Sequence, residues 1–165
     1  MPVTICPATS ADAAAIAAIY DHHARHGSAS FDSEGPTAAD WALKIDAIAA
    51  RTWPFLIARI DGDVVGYAYA TQFRDRPAYV HACENSIYVA PGRTGQGIGR
   101  MLLEALIEAS RAAGFEQMIA VVGGPEPASI ALHRRCGFVE RGQMKDVGVK
   151  FGRKLDTVYL QLSLV

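Results

Sequence analysis

Gly92, Arg93, Thr94, Gly95, Gln96, Gly97, Ile98, Gly99 and Arg100 follow one another between a β-type run and the most regular helical pattern of the chain. Glycines at this spacing let backbone N–H groups turn toward an anion, and a helix opening near Ile98 adds the partial positive charge of its N-terminus. The chemistry this suits is main-chain binding of a pyrophosphate, with Arg93 and Arg100 as side-chain partners. The sequence holds no G-x-x-x-x-G-K-[ST], which excludes a P-loop. Its glycines read G-x-G-x-G in mid-chain, which argues against a dinucleotide fingerprint. A bare glycine-rich turn is the plainer alternative. Glu84 stands seven positions before Pro91, and His133 lies on a helical run from Ser129 that ends at Gly137. A carboxylate and an imidazole flanking a phosphate cradle suit group transfer from a nucleotide-bearing carrier to an amine, because an ammonium must lose a proton before it attacks.

Other polar residues are weaker candidates. Arg74 and Arg76 share one loop, where guanidinium groups can clamp a carboxylate or phosphinate, or simply stay solvated. His22, His23 and His26 have helical spacing, but nothing nearby completes a ligand set, so they read as a solvated helix end. Cys83 and Cys136 read as packing residues, since no activating base adjoins either.

The elements that must position these groups follow from periodicity. Val3–Cys6 is a short strand ended by Pro7, and Ser10 or Asp12 can cap a helix striped by Ile16, Ile19 and Tyr20. A polar stretch, Gly27–Pro36, carries Phe31. A second helix from about Thr37 presents Trp41, Ile45 and Ile48. Phe55–Ile60 and Val64–Thr71 form a hairpin across Asp61–Gly62. Ser86–Val89 is a strand, Ile98–Ala113 an amphipathic helix, Gln117–Val122 a strand and Ser129–Cys136 a short helix. Phe138–Lys145 pairs with Leu155–Leu164 at the end. The order β α α β β β α β α β β predicts an α/β (α+β) fold with a mixed sheet and helices on both faces. One domain is expected over residues 1–165, with no repeat or linker.

Composition bounds the partners. Sixteen Lys+Arg balance 17 Asp+Glu for a formal charge of −1, so no electrostatic case exists for nucleic acid or an anionic membrane. Half of the residues are hydrophobic and 20% are charged, which disfavours disorder. No apolar run is long enough to span a bilayer, and the first residues lack the pattern of a secretory signal. Cys6, Cys83 and Cys136 are odd in number and scattered, so a reducing, cytoplasmic setting is expected.

The run Ser86–Ile107 followed by Ser129–Phe138 resembles the GNAT superfamily of acetyl-CoA-dependent N-acetyltransferases. Within it, the phosphinothricin and methionine-sulfoximine (sulfone) N-acetyltransferase group is the nearest likeness. Tyr20, the loop Ser28–Asp32, Trp53–Phe55, Phe73–Tyr79, Glu84–Val89 and Val147–Arg153 carry it, in order along nearly the whole chain. The resemblance implies the GNAT fold with about seven strands, direct acetyl transfer to a small amino-acid-like amine, and no metal. It makes Glu84 the water-mediated base and His133 a general acid or thiolate stabiliser. It assigns acetyl-CoA to Ile87, Tyr88, Val89, Arg93, Thr94, Gly95, Gln96, Gly97, Ile98, Gly99, Arg100, Glu126 and Ser129. It assigns the acceptor to Phe31, Arg74, Arg76 and Tyr79, and it implies a homodimer. Departures from the usual pattern are Thr94 in the cradle, Glu126 where asparagine is usual, Gly123 and Gly124 in place of bulkier residues, and Lys154 in place of tryptophan. An acetyltransferase of protein N-termini and a non-catalytic acyl-CoA sensor are the alternatives.

Overall fold

The computed structural model describes residues 1–124 and 126–165. Its strands and helices follow the expected order. They are β1 (Thr4–Pro7), α1 (Ala13–His26), α2 (Ala38–Ala50), β2 (Phe55–Ile60), β3 (Asp63–Gln72), β4 (Ala82–Val89), α3 (Ile98–Ala112), β5 (Gln117–Gly123), α4 (Pro127–Arg135), β6 (Val139–Lys150) and β7 (Arg153–Ser163). Local chemistry sets several boundaries. Thr37 and Asp40 exchange side-chain and backbone hydrogen bonds at the start of α2, with Asp40 N–H donating to Thr37 Oγ1 at 3.2 Å. Asp12 does not cap α1 with its side chain. Its buried carboxylate instead accepts the Thr9 N–H at 2.9 Å and pairs with Arg59 of β2.

The strands form one seven-stranded sheet in the order β1-β2-β3-β4-β5-β7-β6. Every neighbouring pair is antiparallel except β4 and β5. One face is covered by α1 and α2, whose Ile16, Ile19, Trp41, Ile45 and Ile48 pack with Phe55, Ile57, Tyr67 and Tyr69. On the other, Leu102, Leu103 and Leu106 of α3 pack with Cys83, Met118, Ala120 and Leu160.

Two boundaries differ from the sequence expectation in ways that matter. β4 begins at Ala82 rather than Ser86, which places Glu84 inside the strand. β6 continues past Lys145 to Lys150 because a bulge between Met144 and Gly148 breaks the alternation that periodicity relies on. Asp156 stabilises that bulge, accepting from Gln143 Nε2 and the Asp146 N–H at 2.9 Å each.

The feature that makes a site is the contact between β4 and β5. It pairs only Ala82–Glu84 with Gln117–Ile119, and beyond that the two strands separate. The Ala90 N–H donates to the Val65 carbonyl, which fixes the phase of the β3–β4 ladder. By antiparallel alternation, Glu84, Ser86 and Tyr88 spend their backbone groups on β3, whereas Asn85, Ile87 and Val89 turn theirs into the gap.

Candidate active site at the parted strands

Side chains alternate along β4, so Glu84, Ser86 and Tyr88 point to the α1/α2 face while Asn85, Ile87 and Val89 point to the α3/α4 face. Glu84 and His133 therefore approach from opposite faces, and the gap lets them line one cavity of about 290 Å³. Tyr20, Phe31, Asp32 and Asn85 complete much of its wall. Burial raises the Glu84 pKa above the ordinary carboxylate value, and the positive charge of Arg74 partly opposes that shift. This is the behaviour wanted of a base that must hold a proton briefly.

His133 is buried, and burial lowers its pKa, so the ring is neutral at neutral pH. Nδ1–H donates to the Ser129 carbonyl at 2.8 Å, which leaves a lone pair on Nε2. Nε2 faces the Asn85 amide at 3.2 Å. The atom at that distance is Asn85 Oδ1, and a ring with its proton on Nδ1 requires the amide turned over so that its NH2, which has no other partner, donates to Nε2. Phe138 packs edge-on against the imidazole at 5.0 Å.

A second cavity, of about 420 Å³, runs from the gap to the glycine turn. Ala29, Ile87, Tyr88 and Ser129 line both cavities, so the two join at the parted strands. Gly92, Gly95 and Gly97 have φ of 75°, 75° and 82°, a left-handed conformation that disfavours other residues, and Gly97 is the N-cap of α3. Of the residues that the resemblance assigns to acetyl-CoA, Arg93, Thr94, Gly95, Gly97, Ile98, Gly99, Arg100 and Glu126 line this groove. Gln96 does not; its side chain folds back to donate to the Gly92 carbonyl at 3.3 Å. Arg100 is shared with Glu104 at 2.7 Å. His23 and Arg135 also line the groove, and neither was singled out as a site residue. Arg135 has a legible signal, because Ala128, Leu132 and Arg135 fall at i, i+4 and i+7 on α4. His23 has none in the sequence.

The loop after α1 walls the first cavity through Ala29, Ser30, Phe31 and Asp32. It is held from several sides. Tyr20 Oη donates to Asp32 and lies 2.8 Å from Ser30 Oγ, Lys150 Nζ donates to the Ser30 carbonyl at 2.5 Å, and Ser28 Oγ donates to Glu126 at 3.1 Å. The small residues noted as departures make room for it. A Cβ on Gly123 would lie 2.8 Å from Phe31 Cε1, one on Gly124 would lie 2.8 Å from Ser28 Oγ, and one on Gly148 would also strike the Phe31 ring. Arg74, Arg76 and Tyr79 sit outside this cavity on an exposed segment between β3 and β4. Gln72 Nε2 holds that segment by donating to the carbonyls of Arg74 and Arg76 at 2.7 and 2.8 Å. Lys154 is exposed at the start of β7.

Burial pushes the Cys83 thiol up to about 12, so it is a core residue rather than a nucleophile. Among the described residues no three His, Cys, Asp or Glu side chains converge as a metal-ligand set. Among the same described residues no helix is long and apolar enough to cross a membrane.

A glycine cradle open to an anion, flanking arginines and an unpaired strand edge together fit a nucleotide carrier with an amide-bearing arm. Residues 16–138 match the profile of the Acetyltransferase (GNAT) family. The chain belongs to the GNAT acetyltransferases. It is similar to phosphinothricin N-acetyltransferase of Alcaligenes faecalis, 45% identical over 154 residues that cover 93% of this chain and 78% of that protein. The L-methionine sulfoximine/L-methionine sulfone acetyltransferase of Salmonella typhimurium is 37% identical over 162 residues, covering 98% of this acetyltransferase and 95% of the relative. A crystal structure of a GNAT phosphinothricin acetyltransferase from Sinorhizobium meliloti in complex with acetyl-CoA superposes with a TM-score of 0.95. It is 43% identical and covers 99% of this chain and 89% of that one. The expected GNAT fold, with its mixed seven-stranded sheet and helices on both faces, is the fold observed.

Proposed function

We propose that this acetyltransferase moves the acetyl group of acetyl-CoA directly to the amino group of a small amino-acid-like acceptor of the phosphinothricin, methionine sulfoximine or methionine sulfone type. The observation that carries this reading is the junction of two cavities at the parted strands, one ending at the glycine cradle and the other at Glu84. The cradle from Arg93 to Gly99, with Arg100 and Arg135, would hold the pyrophosphate and phosphate groups. The edge formed by both backbone groups of Ile87 and the Val89 N–H, with Glu126 and Ser129 opposite, would hold the pantetheine arm. Acetyl-CoA supplies a thioester carbonyl at the gap. Glu84 takes the proton of the acceptor ammonium, directly or through water, and so frees the lone pair that would form the C–N bond as the C–S bond breaks, CoA leaving as a thiolate that takes its proton from solvent. His133, neutral and with Nδ1–H committed to Ser129, supports a positioning role through Asn85 better than that of a loaded acid. Phe31 forms a wall of the acceptor cavity, and Arg74, close enough to bias Glu84, offers its guanidinium to the acceptor's acidic group. For Arg76 and Tyr79 the support is proximity in the same loop.

A peptide acceptor needs a long open groove, whereas the Ser28–Asp32 loop walls one side of the cavity, held by contacts to α1, to Glu126 before α4 and to β6. Comparing kcat/KM for methionine sulfone with that for peptides carrying the same N-terminal residue tests this, and a preference for peptides would overturn it. Arg74→Met is expected to move the acid limb of the pH–rate profile upward, because Arg74 is the positive charge that lowers the Glu84 pKa. A limb that stays in place or moves down would contradict that link.

The whole chain serves this activity as one catalytic domain in the cytoplasm, a setting consistent with three unpaired cysteines. It acts as a homodimer. Support comes from β6, where Val139, Met144, Val147 and Val149 are 51%, 44%, 50% and 71% exposed, together with Phe151 at 61% in the adjoining turn. Light scattering should give twice the chain mass, and a monomer at micromolar concentration would refute the dimer.

A further inference from the structure

His23 belongs to the last turn of α1, yet its side chain reaches across the fold to β4. Nε2 lies 2.8 Å from the Val89 carbonyl, so the ring carries its proton on Nε2 and donates it there. The ring also tilts against Tyr88 at 5.4 Å and forms part of the groove that leads to the cradle. Its neighbours behave differently, for His22 and His26 lie against each other at 4.9 Å and are exposed.

Val89 is where the strand ends and the cradle begins. It is the last residue whose backbone faces the gap, and the next carbonyl, that of Ala90, already accepts the Arg93 N–H at 3.0 Å. A carbonyl left unpaired at this point is free to rotate or to compete for whatever pairs with the edge. The His23 bond takes that carbonyl out of play and fixes the plane of the peptide that follows. Beyond the last β4–β5 pair, Glu84–Ile119, the groups left open on the gap side are then the Asn85 C=O, the N–H and C=O of Ile87 and the Val89 N–H. The same turn of α1 closes with the Gly27 N–H donating to the His23 carbonyl at 2.9 Å, and the chain passes directly into the Ser28–Asp32 wall.

We infer that His23 is a positioning residue of the donor site, holding the Val89 end of β4 in the geometry that the cofactor edge and cradle require. This rests on the acetyl-CoA reading of the groove. Two variants separate its parts. His23→Leu keeps an apolar side chain and loses the donor, whereas His23→Gln retains an amide N–H able to reach the same carbonyl. Titration calorimetry with CoA and steady-state kinetics in both substrates are the readouts. His23→Leu is expected to weaken CoA binding and raise the KM for acetyl-CoA by roughly 3- to 10-fold, the loss of one hydrogen bond, with the acceptor KM nearly unchanged. His23→Gln is expected to recover most of that loss. Native CoA affinity in His23→Leu would overturn the inference. So would a glutamine variant as weak as the leucine one, since the ring's packing on Tyr88 rather than its bond would then matter. Failure of the unaltered chain to bind CoA would instead overturn the reading of the groove itself.

Discussion

Glu84→Gln should lower turnover by about 10²- to 10⁴-fold while leaving CoA affinity unchanged. Glutamine has nearly the same shape and keeps the strand, but it cannot accept the ammonium proton. The cradle is untouched, because Glu84 points to the α1/α2 face and the glycine turn opens beyond the far end of β4. The pH dependence should change with the rate. In the native chain the acid limb reports a carboxylate whose pKa burial has raised above its ordinary value, and activity is lost as pH falls through that raised value. In the variant that limb should vanish, leaving only the rise that comes from free amine in solution. Stability should not fall, since a carboxylate with a raised pKa is destabilised by burial at neutral pH, and glutamine removes that charge. A variant within tenfold of native turnover, with the same pH profile, would remove Glu84 from the mechanism.

Trp41→Ala is the stability counterpart. Trp41 is 2% exposed in α2, and its ring meets Tyr20 and Tyr67 at 5.5 Å, Tyr69 at 6.2 Å and Phe55 at 6.3 Å. Removing it opens a cavity at the centre of the α1/α2 layer, at a cost of about 3–5 kcal/mol. That is a large share of the roughly 5–15 kcal/mol by which a domain is held folded. The consequence for function is specific. Tyr20 loses its edge contact with Trp41 and keeps only the one with Tyr88, and Tyr20 is the side chain that holds Ser30 and Asp32 at the cavity beside Glu84. In the fraction still folded, the acceptor KM should rise more than the dissociation constant for CoA. Urea denaturation measures the first effect, and a loss under 1 kcal/mol would contradict the packing described.

Local patterns carried a good deal of this. The spacing of Leu102, Leu103, Leu106 and Ile107, the Asp61–Gly62 turn and the run from Gly92 to Gly99 each obey a short-range rule, and each element formed where that rule put it. Glu84 and His133 were legible as residue types flanking the cradle. Their meeting through the sheet from opposite faces was not, because it depends on where β4 and β5 stop pairing. Asn85 was invisible as the partner of His133 for the same reason. His23 was misread because a helix end rich in histidine looks solvated, and only the crossing of α1 over β4 brings it to Val89. The second half of β6 escaped periodicity because the bulge before Gly148 resets the alternation. Gly123, Gly124 and Gly148 are sites of missing volume, whose purpose shows only once Phe31 and Ser28 fill the space.

Near-zero net charge is compatible with a polyanionic donor because the binding is local. In the function proposed above, main-chain N–H groups at Gly95–Gly99 and a few arginines would meet the phosphates, so no broad positive surface is required.

The most direct measurement is thiol release from acetyl-CoA by the purified chain across a panel of amines, with the product identified by mass spectrometry. Release is expected only when an acceptor is present, fastest with amino-acid-like amines such as methionine sulfone and phosphinothricin, with the acetyl group on their nitrogen. Tight CoA binding without release for any amine would contradict catalysis and point to a sensor of acyl-CoA.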